Sequence, residues 1–404
     1  MTSQERSTLN VGDRMQVTIL KVAHGGHFIA RYLGAVIFVR HGVPGEEVEI
    51  EITSVGSSFN RADVIRVITA SPDRVSAPCI HAHREGCGGC DFQHISLPRQ
   101  RALKSEVISE QFERIAKMQI HVDVEEVGQP LGWRTRFNAV TTRGGALGFY
   151  KGRSHQIVPV DDCRILTNEL NFRELSQRKW KSDQRVEVSV SNTGERTIAI
   201  AESKTEGPVK VIEGPEVAHY QLSDHALEVS QKSFWQSHKD APAVLTEAVL
   251  RYANIRSGEK VLDLYGGVGL FSASVINLVG DSGQIDLVEG SKSATSDASR
   301  NFSSHHNVFV HTGDVAKILP RFSSADVIIL DPPREGAKAD VIDHMVALAP
   351  RAIVYVACDP AALARDSGYL QAHGYILQGL RAFDLFPMTH HIECVALFEA
   401  DKVS

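Results

Sequence analysis

The stretch Val261-Leu262-Asp263-Leu264-Tyr265-Gly266-Gly267-Val268-Gly269-Leu270-Phe271-Ser272 decides the fold. An apolar strand over 261–265 runs into three glycines, and an apolar helix pattern follows at Leu270, Phe271 and Val275. Gly266, Gly267 and Gly269 allow a tight turn and a close backbone approach to a ligand. The helix start then faces that ligand at the carboxyl ends of the strands. Asp263 sits within the strand, where a lone carboxylate is costly without donors. Many nucleotide folds carry such a turn, so the acids downstream sharpen the reading. Glu289 ends the strand pattern at 284–288, about twenty residues on, where an acid grips a ribose. Asp314 and Asp331 follow the patterns at 307–311 and 326–330. Three acids at successive strand ends describe a pocket for a neutral or cationic nucleoside rather than a polyphosphate, and S-adenosylmethionine (SAM) fits. Helix caps at βα turns would explain any one of them.

Outward from this stretch, strands and helices alternate to the C-terminus, with strand patterns at 261–265, 284–288, 307–311, 326–330, 352–357, 375–382 and 394–399. That is an α/β chain with a doubly wound sheet over residues 231–404. Three motifs lie at its strand ends. Asp331-Pro332-Pro333-Arg334-Glu335-Gly336 is a rigid loop with few backbone donors. Cys358, in Tyr355-Val356-Ala357-Cys358-Asp359-Pro360, stands at a carboxyl end rather than within a strand, and a helix start after it could lower its pKa. His390-His391-Ile392-Glu393-Cys394 opens the last strand, with Glu393 at its mouth.

Upstream, residues 1–70 read as a small β-barrel of the OB type, from five short strand patterns between 17 and 67 separated by Gly25-Gly26, Gly34, Pro44-Gly45 and Gly56. A central α+β domain spans 71–230. It opens on Cys79-Ile-His-Ala-His-Arg-Glu-Gly-Cys87-Gly-Gly-Cys90. Thiolates so spaced can converge on one centre, with Cys163 as the fourth, and both zinc and an iron–sulfur cluster take four thiolates. His81 and His83 keep zinc open. Residues 96–118 predict an amphipathic helix capped by Ser96, with Leu103, Val107, Ile108, Phe112 and Ile115 on one face. Residues 131–155 contain no acid and interleave Arg134, Arg136, Arg143, Lys151 and Arg153 with Trp133, Phe137, Phe149 and Tyr150. Cations neutralise phosphates and aromatics stack on bases, so this stretch reads as a nucleic-acid surface; the bland reading is a hairpin with an inward aromatic face.

With 404 residues, 43% hydrophobic content and 23% charged content, the chain is of ordinary globular type and long enough for two or three domains. The net charge of −6 makes any nucleic-acid surface local. MTSQERSTLN has no apolar core like that of a signal peptide, and no apolar run approaches a membrane span. Three of six cysteines crowd one loop, which suggests a metal site rather than disulfides. The expected location is the cytoplasm, the expected state a monomer without an obligate protein partner.

Together these residues resemble the SAM-dependent RNA uracil-C5 methyltransferase family, and the likeness covers nearly the whole chain. It implies a class I (Rossmann-like) methyltransferase domain, an RNA-binding TRAM barrel and a [4Fe-4S] centre, zinc being the alternative. By resemblance Cys358 matches the nucleophile and Glu393 the general base. Cys79, Cys87, Cys90 and Cys163 match cluster ligands, and Gln236, Tyr265, Glu289, Asp314 and Asp331 match SAM-contacting positions. Cys79 and Cys87 are more widely spaced than the family pattern, and Leu270 stands where a polar residue often meets the cofactor. Cys394 reads as core. The barrel and cysteine loop together resemble the 23S rRNA branch, with tRNA the alternative substrate. The chemistry asks for the same pair of residues. Carbon 5 of uracil becomes nucleophilic only after a thiolate adds to carbon 6, and a carboxylate must then remove the carbon-5 proton. A methyltransferase acting on exocyclic amines is the nearest rival, but Arg334 follows Asp-Pro-Pro where an aromatic would stack on the base. A radical SAM enzyme would space its cysteines more tightly. A non-catalytic RNA-binding protein would not need Cys358 and Glu393.

Overall fold

The computed structural model describes residues 9–57, 59–202 and 209–401; the N-terminal MTSQERST lies outside them. The organising stretch forms the strand Lys260–Leu264, and the helix Leu270–Val279 leaves its carboxyl end. Parallel neighbours build the sheet in the order Val308–Thr312, Gln284–Glu289, Lys260–Leu264, Val327–Leu330, Ala352–Ala357. Glu393–Ala400 then inserts antiparallel between Ala352–Ala357 and Tyr375–Asp384.

Successive residues of each strand go to opposite faces, as the period of two demands. Val261, Ile285, Ile329, Val354 and Val395 pack under the helices Ala241–Ala253, Leu270–Val279 and Lys292–Asn301. Leu262, Leu264, Ile328, Ile353, Tyr355 and Cys394 pack under Lys338–Ala347 and Pro360–Ala372. The sheet is therefore doubly wound, and Cys394 is a core residue with 1% exposure.

Two elements from within 71–230 join this sheet. Val124–Glu126 pairs in parallel with Tyr375–Asp384 as an eighth strand. The helix Leu97–Gln111, continued by a π turn at Phe112–Ala116, packs on the helix Pro360–Ala372. Of the expected face, Leu103, Val107, Ile108 and Phe112 are buried, while Ile115 is half-buried in the π turn, where the helix expected to 118 ends early. Ser96 does not cap it; its hydroxyl donates to Asp73 Oδ1 (3.2 Å) instead.

The N-terminal barrel has six strands rather than five, because the expected run at 17–22 breaks into Arg14–Thr18 and Lys21–Ala23. At that break Ile19 and Gly45 bond along their backbones, and Ile19 packs on Gly42. The sheet curls around Phe28, Ile37, Val39, Ile50 and Ile52, all with 0–1% exposure.

The central six-stranded antiparallel sheet corrects the reading of residues 131–155. Trp133 is fully buried and Phe137 nearly so, and Phe149 stacks on Phe172 inside the same core. Arg134 and Arg136 turn inward and donate to the carbonyls of Arg136 (2.8 Å) and Trp235 (3.1 Å). Alternation along the strand Arg136–Thr141 puts the aromatic and apolar residues on the core face. Within this stretch the exposed cations and aromatic are Arg143 in the turn before the strand Leu147–Tyr150, Tyr150 at that strand's end and Arg153 in the turn after it.

Candidate active site

The glycine turn folds as its composition requires. Gly267 and Gly269 take φ of +57° and +99°, and a Cβ on Gly269 would strike the Phe302 ring. Tyr265 accepts the left-handed region without being glycine (φ +59°), a cost of about 1–2 kcal/mol that places strain at the crevice. Glu289 ends its strand and accepts from Gly267 N (3.0 Å) and Ser291 N (2.6 Å). Asp263 Oδ2 accepts from the Ser272 backbone (2.9 Å) and hydroxyl (2.6 Å), while Oδ1 is buried without a partner among the described residues. Burial pushes Asp263 up to about 6 despite those donors, with Glu289 adding to the rise. Burial lifts the Tyr265 hydroxyl to about 12, and the charges of Asp314, Asp366, Glu335 and Glu289 add to it. The Gly313 amide donates to the Glu289 carbonyl (2.9 Å), so Asp314 follows beside Glu289, which itself binds the turn after Tyr265. Gln236 lies between Trp235 and Ser237, whose carbonyls accept from Arg136 (3.1 Å) and Thr135 (3.1 Å) of the central domain. An orphaned buried acceptor among several carboxylates fits a cationic nucleoside such as SAM, whose charge and donors supply what the crevice lacks.

Across the sheet, Ala357 pairs with Cys394 in the antiparallel ladder, so the next step of that register sets Cys358 opposite Glu393. Glu393 is buried, and burial followed by the Asp331 charge raises its pKa well above the ordinary carboxylate range. Burial, with Asp263 beside it, pushes Asp331 up to about 7. Burial, then Glu393 and Asp331, push the Cys358 thiol up to about 12, while Arg334 opposes. The expected help from a helix start is missing for a local reason. Asp359 caps the helix Pro360–Ala372 and its carboxylate takes the Ala361 (3.0 Å) and Ala362 (2.9 Å) amides.

Cys358 faces a cavity of about 160 Å³ shared with Arg334, His391, Lys104 and the barrel turn His24–Gly26. An engineered cavity of about 150 Å³ holds benzene, so this one has room for a single six-membered ring. Sequence reasoning missed the groups that shape it. His24 of the barrel reaches Asp359 at 3.1 Å, beside the cysteine. Tyr355 and the buried Asp366 hold the loop after Asp331: the Tyr355 hydroxyl and the Ala337 amide both donate to Asp366 Oδ2 (2.7 and 2.8 Å). Asp91, directly after Cys90, bonds His390 at 2.5 Å, and the Phe92 amide donates to the Met388 carbonyl (3.0 Å). Lys104, 1% exposed, donates to Asp384 (2.6 Å) and to the Phe386 carbonyl (3.1 Å). Tyr355 lies inside a quoted motif; nothing in the spacing of Lys104 or Asp91 signals a partner almost three hundred residues away.

Cys79, Cys87, Cys90 and Cys163 line one small cavity. Burial pushes the Cys90 and Cys163 thiols up to about 12, and the Gly89 and Ile165 amides donate toward Cys87 and Cys163. Such N–H donors suit thiolates held as ligands. Among the described residues no three His, Cys, Asp or Glu side chains stand in metal-holding geometry. His81 turns to Asp161 (3.4 Å).

Three family models match the chain: the TRAM domain at residues 8–65, the methyltransferase small domain at 234–355 and tRNA (uracil-5-)-methyltransferase at 314–401. A Streptomyces avermitilis protein named as an uncharacterized RNA methyltransferase is 37% identical, over 96% of this chain and 99% of its own length. The 23S rRNA (uracil(1939)-C(5))-methyltransferase RlmD of Shewanella amazonensis is 31% identical, over 96% of each chain. The crystal structure of a Pyrococcus abyssi tRNA (uracil-54, C5)-methyltransferase with S-adenosyl-L-homocysteine shares the fold with a TM-score of 0.74, at 22% identity over 95% of this chain and all of that one. The glycine crevice, the barrel and these matches together make the chain a member of the SAM-dependent RNA (uracil-5) methyltransferase family.

Proposed function

We propose that the protein methylates carbon 5 of one uridine in 23S rRNA, with Cys358 as nucleophile and Glu393 as general base. The observation that carries this reading is the strand register that sets Cys358 opposite Glu393, with Cys358 at the wall of a cavity sized for one ring. The Shewanella relative supports rRNA as substrate. In this reading Gln236, Tyr265, Glu289, Asp314 and Asp331 line the cofactor's place.

Cys358 adds as thiolate to carbon 6, and the ring electrons move to carbon 5 and the carbon-4 oxygen. When bound, SAM supplies an electrophilic methyl and a positive charge that is discharged as the methyl leaves. Glu393 then takes the carbon-5 proton, the carbon 5–carbon 6 double bond re-forms and the sulfur departs. Burial beside Asp331 gives Glu393 a high proton affinity. A cation beside the cluster favours its ionised form, and loss of that charge restores the affinity when the proton must be taken. Arg334 stabilises both anions, since it opposes the rise at Cys358 and at Glu393. The uridine must leave its stack to enter the cavity.

We propose further that the four cysteines hold a [4Fe-4S] centre of structural role, with zinc as the alternative. Anaerobic purification yielding a brown protein supports the cluster; a colourless protein with bound zinc supports the alternative.

Labelled SAM with separate 23S rRNA and tRNA transcripts tests the main reading. The expected product is 5-methyluridine in 23S rRNA, absent with Cys358→Ala. Glu393→Gln is expected to accumulate a covalent RNA–protein adduct. Label on an exocyclic amine, or full turnover by Cys358→Ser, would overturn it.

A further inference from the structure

The cations between the barrel and the central domain are almost all neutralised. Arg40 grips Asp63 with two bonds of 2.8 Å, Arg84 bonds Glu51 (2.8 Å) and Lys151 bonds Glu85 (2.5 Å). Arg61 and Arg153 differ, since neither has a carboxylate partner among the described residues. They come from different domains. Arg61 lies on the barrel strand Asn60–Thr69, with its guanidinium 4.9 Å over the exposed Phe59 ring. Arg153 projects from the turn after Leu147–Tyr150, which rests against the barrel so tightly that a Cβ on Gly152 would lie 2.5 Å from Arg40 Nη1. Burial first, and then the like charges of Arg61 and Arg40, hold the Arg153 pKa down. Arg153 is also non-glycine at φ +56°, in a turn closed by Ser154 N to the Lys151 carbonyl (3.0 Å).

Arg61 and Asp63 lie two residues apart on one strand and so share a face, Arg40 holds Asp63, and Gly152 packs against Arg40, which brings the turn of Arg153 to the patch of Arg61. Two guanidiniums without carboxylates in one patch repel unless an anion lies between them, and backbone strain persists where surrounding structure enforces it. An arginine fork matches phosphate oxygens, and an aromatic beside it offers a face for a base. Gly26, in the turn His24–Gly26, borders both the cavity of Cys358 and a cleft lined by Arg40 and by Gly152, the neighbour of Arg153.

We propose that Arg61 and Arg153 form a two-pronged clamp on a backbone phosphate of the substrate RNA next to the target uridine, with Phe59 stacking on an adjacent base. The clamp positions the strand so that the target nucleotide passes the barrel turn into the Cys358 cavity. This rests on the reading of the protein as an RNA methyltransferase.

The test compares wild type, Arg153→Gly, Arg61→Ala and the double variant for RNA binding across a salt series, methylation kinetics and SAM affinity. Glycine suits the left-handed turn, so Arg153→Gly is expected to keep or raise Tm, which removes misfolding as an explanation. Each single variant is expected to lower the slope of log affinity against log salt by about one. Each is also expected to raise KM about tenfold, with kcat and SAM affinity unchanged. RNA carrying one neutral methylphosphonate linkage beside the target should bind wild type and the double variant alike. Inorganic phosphate at matched ionic strength should compete no better than chloride; preferential competition would mark a free-anion site and overturn the RNA clamp. An unchanged salt slope and KM in the double variant, with wild type still forming 5-methyluridine, overturns the clamp alone. If wild type methylates no RNA, the enzymatic reading fails, and the salt slopes still decide whether the pair holds RNA phosphate.

Discussion

At the scale of single residues, the site is a row of carboxyls whose proton affinities burial has raised. Asp263 at about 6 and Asp331 at about 7 are neutral in acid and charged above neutrality. A cation binds the charged forms better, so SAM affinity is expected to rise by about tenfold or more between pH 5 and pH 8. S-adenosylhomocysteine, without the sulfonium charge, should respond less; isothermal titration across that range checks both. The ligand-free fold carries the opposite sign. Both folded values lie above the ordinary carboxylate value, so the folded state binds protons more tightly than the unfolded chain. The associated stability is full below about pH 4 and is lost as pH rises through 6 and 7. Asp331→Asn should therefore flatten the fall of Tm with pH while weakening SAM binding. The Cys358 thiol, pushed up to about 12, should alkylate slowly at pH 8 in the free enzyme. Asp331, Cys358 and Glu393 were legible in the chain because each stands in a motif at a strand end. Their proton affinities were not, since those depend on how closely four acidic side chains from four strands approach one another.

At the scale of elements, the segment 385–392 that delivers Glu393 is held from outside the catalytic sheet. Lys104 and Gln100 of one helix bind Asp384 and the Met388 amide (2.9 Å), and Asp91 binds His390 beside the cysteine loop. The cysteine loop and the proposed base are thus tied through a few short bonds. Asp91→Ala should slow resolution of the covalent adduct about ten- to a hundredfold, with SAM affinity kept, because a small displacement of a positioned group costs that much. Quench-flow measurement of adduct decay tests this; an unchanged decay rate would remove the tie from the mechanism. Periodicity over 96–118 found the helix that spans Leu97–Gln111 and most of its buried face, yet a period cannot say that Lys104, inside that face, meets an acid. Trp133, Arg134, Arg136, Phe137 and Phe149 failed as a surface for a related reason. Composition shows which residue types are close in sequence, while the alternation of the strand decides which face they occupy.

At the scale of the whole molecule, barrel and catalytic sheet share one apolar core, running from Phe28 and Val22 through Phe92 and Leu103 to Leu363. The barrel also closes the cavity over Cys358 through His24, Gly25 and Gly26. His24→Ala removes the contact with Asp359 and should speed iodoacetamide alkylation of Cys358 several-fold while leaving SAM affinity unchanged; mass spectrometry of the labelled peptide reads the rate. Removing residues 1–70 should do more than weaken RNA binding. It strips cover from Phe92 and Leu103, each 0–1% exposed, at about 1.5–3 kcal/mol per large side chain, and a lower Tm reports it.

The chain by itself determined its layers, its glycine crevice and the residue types that chemistry at a pyrimidine requires, because each follows from spacing of two, of 3.6 or of a turn. Tertiary structure alone decided that Cys358 stands opposite Glu393, that the barrel roofs the cavity of Cys358, and that the cysteine loop grips the segment before Glu393. Those contacts join positions far apart in the chain, and no local period or propensity encodes which distant side chain will fill a given gap.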